Sequence, residues 1–152
     1  EPVDLSDSWG RCQMALGEKD AARGSIEKAI AQGPNRYQGY FLRGQWNLAY
    51  GNLDDAVRDF RNTVALKSSC GEAHYYLGAL YRRKEMLTEA RAELELALAL
   101  SPELVPVHIE HARLEAFTGN PQLAAQILRI AQKRFPDDGR IREELSNLHP
   151  AK

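Results

Sequence analysis

Three residues in the last third of the chain have the types and the spacing of metal ligands. His108, His111 and Glu115 follow one another at i, i+3 and i+7, so a helix would bring their side chains to one face. Imidazole nitrogens and a carboxylate are donors that zinc uses in proteins. The same positions also fall where a helix packs on its neighbour, and we interpret the histidines as packed side chains. We therefore expect no metal and no other cofactor.

No other pattern favours catalysis. Asp54-Asp55 and Asp137-Asp138 stand at predicted helix starts, where carboxylates stabilise the positive end of the helix dipole, so we interpret them as capping residues. No glycine-rich phosphate loop is present, because the glycines recur at a fixed period. Cys12 and Cys70 form neither a metal-binding pattern nor a disulfide framework and are interpreted as free thiols. We expect a protein that is not an enzyme.

The stretch 74–86, HYYLGALYRRKEM, concentrates aromatic rings and guanidinium groups that can bind a partner. Helical spacing divides them between two faces. Tyr81 falls on the face that packs on the next helix. Tyr75, Arg82 and Arg83 fall one step around the helix, on a face directed away from that packing. Only the second group is a candidate for partner binding.

Composition narrows the class of partner. The 152 residues carry twenty basic and twenty-one acidic side chains, which argues against a nucleic-acid binder. No apolar run approaches the roughly 18 residues of a membrane span, so we expect no direct membrane insertion by this segment. The sequence begins with Glu1 rather than Met, so we expect that a signal peptide, an anchor or a larger parent protein has been cut away, and a soluble domain of a membrane-anchored parent is one such case. Its compartment stays open between cytoplasm and periplasm.

The chain repeats itself every 34 residues. Five columns carry the period: Gly10, Gly44, Gly78 and Ala112; Gly17, Gly51, Glu85 and Gly119; Ala22, Ala56, Ala90 and Ala124; Ala29, Thr63, Ala97 and Ala131; Pro34, Ser68, Pro102 and Pro136. Each period contains two amphipathic helical stretches with a glycine or its substitute between them, and a proline near the end that Ser68 replaces in the second period. Glycine there suits a left-handed helix end, and Asn52 and Asn120 are expected to cap the following helices. Each period is therefore a predicted helix–turn–helix hairpin.

These residues resemble the tetratricopeptide repeat family, whose pattern places W-x₂-L-G-x₂-Y before A-x₃-F and P over 34 residues. The third repeat reads His74-x₂-Leu77-Gly78-x₂-Tyr81, and then Ala90-x₃-Leu94. The resemblance implies an all-α fold, a right-handed α-solenoid of stacked helix–turn–helix hairpins. It covers four repeats, 3–36, 37–70, 71–104 and 105–138. Residues 139–152 are expected to form a C-terminal capping helix and tail, because the positions that would face a further helix are polar.

The resemblance also implies where a partner binds. In this family the first helix of each repeat lines a concave groove. The candidate groove residues carried over to this chain are Arg11, Phe41, Gln45, Leu48, Tyr75, Arg82, Arg83, Ile109, Arg113 and Phe117. Apolar and aromatic side chains among arginines suit an extended or helical peptide that carries acidic groups. The chaperone-tail subclass is not expected, because Asp7 and Glu72 stand at positions where a carboxylate clamp needs other side chains. The alternative is a groove that nothing fills.

A second surface lies on the opposite side of the predicted hairpins. Four outward positions are apolar, and together they form a candidate convex patch: Ala92, Leu96, Ala99 and Ile130. Such a patch can mark self-association, or it can be scattered surface hydrophobes, which are common. The leading hypothesis is therefore a non-catalytic protein–protein interaction module within a bacterial assembly of the secretion, pilus or exopolysaccharide type. The alternative is a self-associating, homo-oligomeric assembly scaffold that uses the solenoid ends or the apolar convex patch.

Overall fold

The computed structural model describes residues 14–148, and all regular secondary structure in that range is helical. Eight helices follow one another, with Met14 and Ala15 also helical ahead of them. Their bounds are α1 Lys19–Gln32, α2 Tyr37–Ala49, α3 Leu53–Leu66, α4 Gly71–Arg83, α5 Leu87–Leu100, α6 Val105–Phe117, α7 Pro121–Arg134 and α8 Gly139–Leu148. The predicted all-α class is confirmed, and the helices fit about four hairpin repeats followed by a C-terminal helix. None of these helices has the length and apolar character needed to cross a membrane.

The chain divides into two compact parts, an N-terminal part that ends at Ala73 and a C-terminal part that starts at His74. In the N-terminal part α2 packs closely on α3 and also contacts α1. Ala22 and Ile26 of α1 and Leu42 and Trp46 of α2 form one buried apolar cluster. The Trp46 indole nitrogen donates a hydrogen bond to the carbonyl oxygen of Lys19 at 3.2 Å, so the large ring is buried with its polar atom satisfied.

In the C-terminal part α6 is the central helix. It packs on α5, on α7 and on α8, and α8 also packs on α7. One apolar cluster joins α5 to α6 through Leu94, Val107 and Leu114. A second cluster joins α6 and α7 to α8, where Ile141 is fully buried. The C-terminal helix is therefore held by an apolar stripe, while Arg142 and Ser146 on its other side are exposed.

In two hairpins, the two helices approach closely at a glycine of the first helix. A Cβ atom on Gly44 would lie 2.9 Å from the Phe60 ring, and one on Gly78 would lie 2.6 Å from Leu94 Cγ. Both distances are shorter than van der Waals contact. Glycine at these positions is therefore required by packing, as the repeat column predicts.

The turns within the hairpins use a left-handed backbone. Gly17, Gly51 and Gly119 have φ of 75°, 82° and 86°, and Glu85 takes the same conformation at φ 59°. The left-handed region disfavours residues with a Cβ, so the turn between α4 and α5 is the strained member of this column. The column of turn residues predicted from the sequence thus corresponds to one backbone conformation.

The expectation that asparagine side chains cap the following helices is wrong. Asn52 and Asn120 stand at the N-cap positions of α3 and α7, but neither makes a side-chain capping hydrogen bond. Their amides reach back to the preceding helix instead, Asn52 to Asn47 Oδ1 at 3.4 Å and Asn120 to Glu115 Oε2 at 3.3 Å.

The aspartate pairs differ from each other. Asp138 caps α8 as predicted, since its Oδ1 accepts the backbone N–H of Arg140 at 3.0 Å. Asp54 and Asp55 lie inside the first turn of α3, where their charges favour the helix dipole without capping it.

Replacing Gly78 by alanine tests the close approach of α4 and α5. The added methyl group must displace Leu94, and overpacking of this kind costs about 1–3 kcal/mol of unfolding free energy. Gly24→Ala is the matched control, because a Cβ there meets nothing within 4 Å. It should raise the stability by roughly 0.5–1 kcal/mol, the usual preference for alanine over glycine in a helix. Urea unfolding followed by circular dichroism measures both; equal gains for the two variants would contradict the packing constraint.

Candidate protein-interaction surface

The N-terminal part places three of the candidate groove residues on α2. Phe41, Gln45 and Leu48 are half-buried there. The Phe41 ring meets Phe60 edge-on, with ring centroids 5.8 Å apart. Arg11, the remaining candidate of this part, lies outside the described residues. This surface is thus an apolar and amide face with part of each side chain accessible.

A buried charged cluster between α2 and α3 went unpredicted. Asp59 is fully buried and accepts two hydrogen bonds from the Arg43 guanidinium, Nε to Oδ2 at 3.0 Å and NH2 to Oδ1 at 2.7 Å. Asn47 Nδ2 donates to the same carboxylate at 2.8 Å. The hydrogen bond to Asp59 raises the pKa of Arg43. The hydrogen bonds of this cluster all join α2 to α3. We therefore infer that the cluster fixes the orientation of α3 on α2 and does not bind a partner.

A chain of ion pairs runs along the first helices of the C-terminal part. Arg82 Nε of α4 donates to Glu110 Oε2 of α6 at 2.9 Å, and Arg113 NH1 donates to Glu110 Oε1 at 2.8 Å. The other arm of Arg113 donates to Glu144 Oε1 of α8. The hydrogen bond to Glu144, supported by the one to Glu110, raises the pKa of Arg113 well above its ordinary value. We call this series Arg82–Glu110–Arg113–Glu144 the groove ladder.

The groove ladder changes the interpretation of the predicted arginines. Arg82 and Arg113 lie on the predicted face, but each is held by a carboxylate of the same chain, and Glu110 is buried at 6% exposure. Of the candidate arginines within residues 14–148, only Arg83 is exposed with no ion-pair partner in that range. Arg82 and Arg113 are thus engaged within the chain, and an acidic partner stays a prediction.

The separations along the chain offered a signal for the groove ladder. Arg82 and Glu110 are 28 residues apart, and Arg113 and Glu144 are 31 apart. Both separations are slightly shorter than the 34-residue period, as expected for neighbours on successive first helices. Opposite charges at such separations can be sought in the sequence alone.

Two cavities open on this face, and both use the ladder as a wall. The tyrosine cavity, of about 270 Å³, is lined by Tyr75, Pro106, Ile109, Glu110, Arg113, Arg140, Glu143 and Glu144. The phenylalanine cavity, of about 250 Å³, is lined by Arg82, Ala112, Ala116, Phe117, Leu128 and Leu148, and shares Arg113 and Glu144 with the first. The two cavities are therefore neighbours.

The aromatic candidates differ in accessibility. Phe117 ends α6 with 53% of its surface exposed. Tyr75 is half-buried and its ring lies 5.0 Å from the Tyr76 ring, centroid to centroid. Burial, followed by the charge of Glu110, raises the pKa of the Tyr75 hydroxyl. Ile109 is only 6% exposed and belongs to the core cluster, so it contributes to the cavity floor and offers little free surface.

The residues with metal-ligand spacing are engaged in packing. His108 Nε2 donates to the Pro102 carbonyl oxygen at 2.9 Å, and its ring lies 5.7 Å from that of Phe135. Glu115 is buried and bound by Arg91, with His111 Nε2 3.8 Å away. Within residues 14–148, no group of three histidine, cysteine, aspartate or glutamate residues is arranged to hold a metal ion.

The candidate convex patch lies on α5 and α7. Leu96 is 48% and Ile130 is 68% exposed, and Ala92 and Ala99 are exposed beside Leu96 on α5. None of these four side chains lines the tyrosine cavity or the phenylalanine cavity described above.

The fold and one segment of the sequence have known counterparts. Residues 47–104 match the family model of the tetratricopeptide repeat. No curated protein matches the chain in sequence. The sequence resemblance seen in the repeat columns is thus confirmed by an independent family match.

Solved structures share the fold over most of the chain. A tetratricopeptide repeat protein from Parabacteroides merdae has a TM-score of 0.84 at 21% identity, covering 95% of this chain and 57% of that chain. A thermophilic protein of the same kind from Thermus thermophilus has a TM-score of 0.79 at 23% identity, covering 95% and 80%. YrrB, described as having an unusual peptide-binding site, has a TM-score of 0.70 at 24% identity, covering 81% and 63%. The α-solenoid class is confirmed, and the chain spans little more than half of the Parabacteroides protein.

Acidification should destabilise the protein through His111. Burial lowers the pKa of this imidazole, so the unfolded chain binds its proton at a higher pH than the folded chain does. Stability from this residue is therefore complete above the unfolded value of about 6.5 and falls as the pH drops through that value. Each full unit of lowering would correspond to about 1.4 kcal/mol, and partial exposure reduces the effect. The variant His111→Leu places at this position the leucine that the previous repeat has at Leu77. It should lose less thermal stability between pH 7.5 and pH 5.5 than the wild type does. An unchanged dependence of thermal stability on pH would contradict this assignment.

Proposed function

We propose that this chain, of which residues 47–104 match the tetratricopeptide repeat family, is a non-catalytic protein–protein interaction module that holds a peptide or a partner helix against the first helices of its repeats. The single observation that carries the proposal is the pair of adjoining cavities, one of which is lined by the exposed Phe117. A large exposed aromatic side chain beside a concave surface is the usual anchor of a protein interface.

The remaining chemistry of this face fits binding better than catalysis. The charged groups of the groove ladder neutralise one another and leave no nucleophile paired with a base. Each carboxylate oxygen of Glu110 accepts a hydrogen bond from a different guanidinium, so this group is poorly placed to take a proton from a substrate. A rigid wall of paired charges is a recognition surface.

A peptide-like partner is supported by the fold relatives as well as by the cavities. YrrB, which shares the fold at low identity, is described as having an unusual peptide-binding site. We extend the peptide class, and not the site itself, to this chain. A bacterial assembly of the secretion, pilus or exopolysaccharide type is the setting we propose, and both other relatives named above come from bacteria.

Self-association is a second candidate, favoured by the exposure of Leu96 and Ile130 on the second helices. Burying two large apolar side chains per copy would stabilise a dimer. The second helices also carry charges of opposite sign along their exposed faces, Glu89 and Glu95 on α5 and Arg129 and Lys133 on α7.

Phe117→Glu tests the groove. The new charge at the edge of the phenylalanine cavity should prevent an apolar anchor from binding, so the immobilised variant should lose the partner that the wild type retains from a lysate. Leu123→Glu is the matched control, because Leu123 is exposed on α7 and lines neither cavity.

Arg83→Glu is a second variant, which should reduce capture of the partner less than Phe117→Glu does. Arg82 is unsuitable for charge reversal, since Glu110 would then face a carboxylate at hydrogen-bond distance. Equal capture by the Phe117 and Leu123 variants would contradict the proposal.

Leu96→Glu combined with Ile130→Glu tests self-association. If the convex patch joins two copies, sedimentation of the wild type gives a mass that rises with concentration, and the double variant stays at the mass of one chain. The helical circular dichroism signal should be the same for both, because neither side chain is buried. A wild type that remains a monomer at all concentrations rules out this second candidate.

A further inference from the structure

The two guanidinium groups that line the tyrosine cavity, those of Arg113 and Arg140, are already paired with carboxylates of this chain. Arg113 is held by Glu110 and Glu144, and Arg140 is held by Asp138, with NH2 to Oδ2 at 2.6 Å and Nε to Oδ1 at 3.0 Å. An incoming carboxylate or phosphate would have to displace one of these partners. Displacement at Glu110 would leave a buried charge unpaired, which is strongly unfavourable. The cavity is therefore poorly suited to an anion.

The remaining polar groups of the same cavity, those of Glu143 and Tyr75, favour a cation over an anion. The Glu143 carboxylate lines the cavity, is exposed, and has no ion-pair partner among residues 14–148. The Tyr75 hydroxyl has no hydrogen-bond partner in the same described range. A carboxylate and an aromatic ring are the two kinds of group that bind a lysine or arginine side chain.

The phenylalanine cavity next to it is apolar on most of its wall. Ala112, Ala116, Leu128 and Leu148 line it, and Phe117 stands at its edge. At about 250 Å³ and 270 Å³, both cavities fall below the roughly 300–1,000 Å³ that is usual for a small-molecule site. Each cavity therefore has the size for one side chain of a longer ligand.

We propose that the two cavities together select a basic–apolar pair of side chains, with a lysine or arginine bound beside Tyr75 and Glu143 and an aliphatic or aromatic residue bound beside Phe117. Because the cavities share Arg113 and Glu144, the two ligand residues lie close together in the bound peptide, within about one helical turn or two to three extended residues. This inference rests on the proposed groove binding and specifies its ligand, which is basic where the sequence analysis expected acidic.

Selection from a displayed library of random 12-residue peptides on the immobilised wild-type chain tests the pairing. We expect enriched peptides to carry lysine or arginine within four positions of leucine, isoleucine, methionine or phenylalanine. A synthetic peptide with the enriched sequence is then measured by fluorescence anisotropy. Exchange of its basic residue for glutamate should weaken binding about tenfold or more.

Two charge variants locate the basic residue. Glu143→Lys should weaken binding of the basic peptide roughly three- to tenfold, since it converts an attraction into a repulsion. Glu89→Lys makes the same change in net charge on α5, outside both cavities, and should change binding less than twofold. Phe117→Glu should abolish binding of the same peptide.

The outcomes separate this inference from the proposed function. Enriched peptides that depend on Phe117 but are acidic or lack a basic residue would overturn the basic–apolar pairing and leave groove binding intact. Equal effects of Glu143→Lys and Glu89→Lys would overturn it as well. A selection that yields no Phe117-dependent peptide would overturn the proposed function, and this inference with it.

Discussion

The close approach of two helices within each hairpin is the constraint on which the rest of the structure depends. Where Gly78 lies against Leu94 and Gly44 against Phe60, no side chain keeps the backbones apart. Large apolar residues of the second helix can then fill the space that the first helix leaves open. This interlocking fixes the rotation of each first helix about its own axis. Because of that rotation, Tyr75, Arg82 and Arg113 all reach the surface where the cavities form.

The hairpins could be predicted from the sequence because their determinants are local and repeated. A column such as Gly17, Gly51, Glu85 and Gly119 marks a backbone conformation that the structure shows at every member, including the glutamate. Tyr81 packs on the α5–α6 cluster, as the helical phase of residues 74–86 predicts, and Tyr75 packs on the same cluster while also lining the tyrosine cavity. Four repetitions of one weak signal make it specific.

The charge pairing escaped prediction because two of its links, Arg82 to Glu110 and Arg113 to Glu144, join side chains on different helices. Position within a repeat predicts that Arg82 and Arg113 lie on the face where the cavities open. It does not show that Glu110 lies between these two arginines. The same limit applies to Asn52 and Asn120, whose amides bind the preceding helix and not the backbone they precede. A list of surface positions therefore describes where a ligand can bind, and only the contacts among those positions decide which charge it should carry.

The left-handed conformation of Glu85 has a consequence for how the chain opens. Such a residue stores on the order of 1 kcal/mol that glycine in the same turn does not. In a repeat protein the total stability is close to a sum of terms from single repeats and their interfaces, so a local cost stays local. The α4–α5 hairpin is thus expected to open more readily than its own packing would suggest. Since α4 carries Tyr75 and Arg82, one wall residue of each cavity lies on the hairpin that is expected to open more readily.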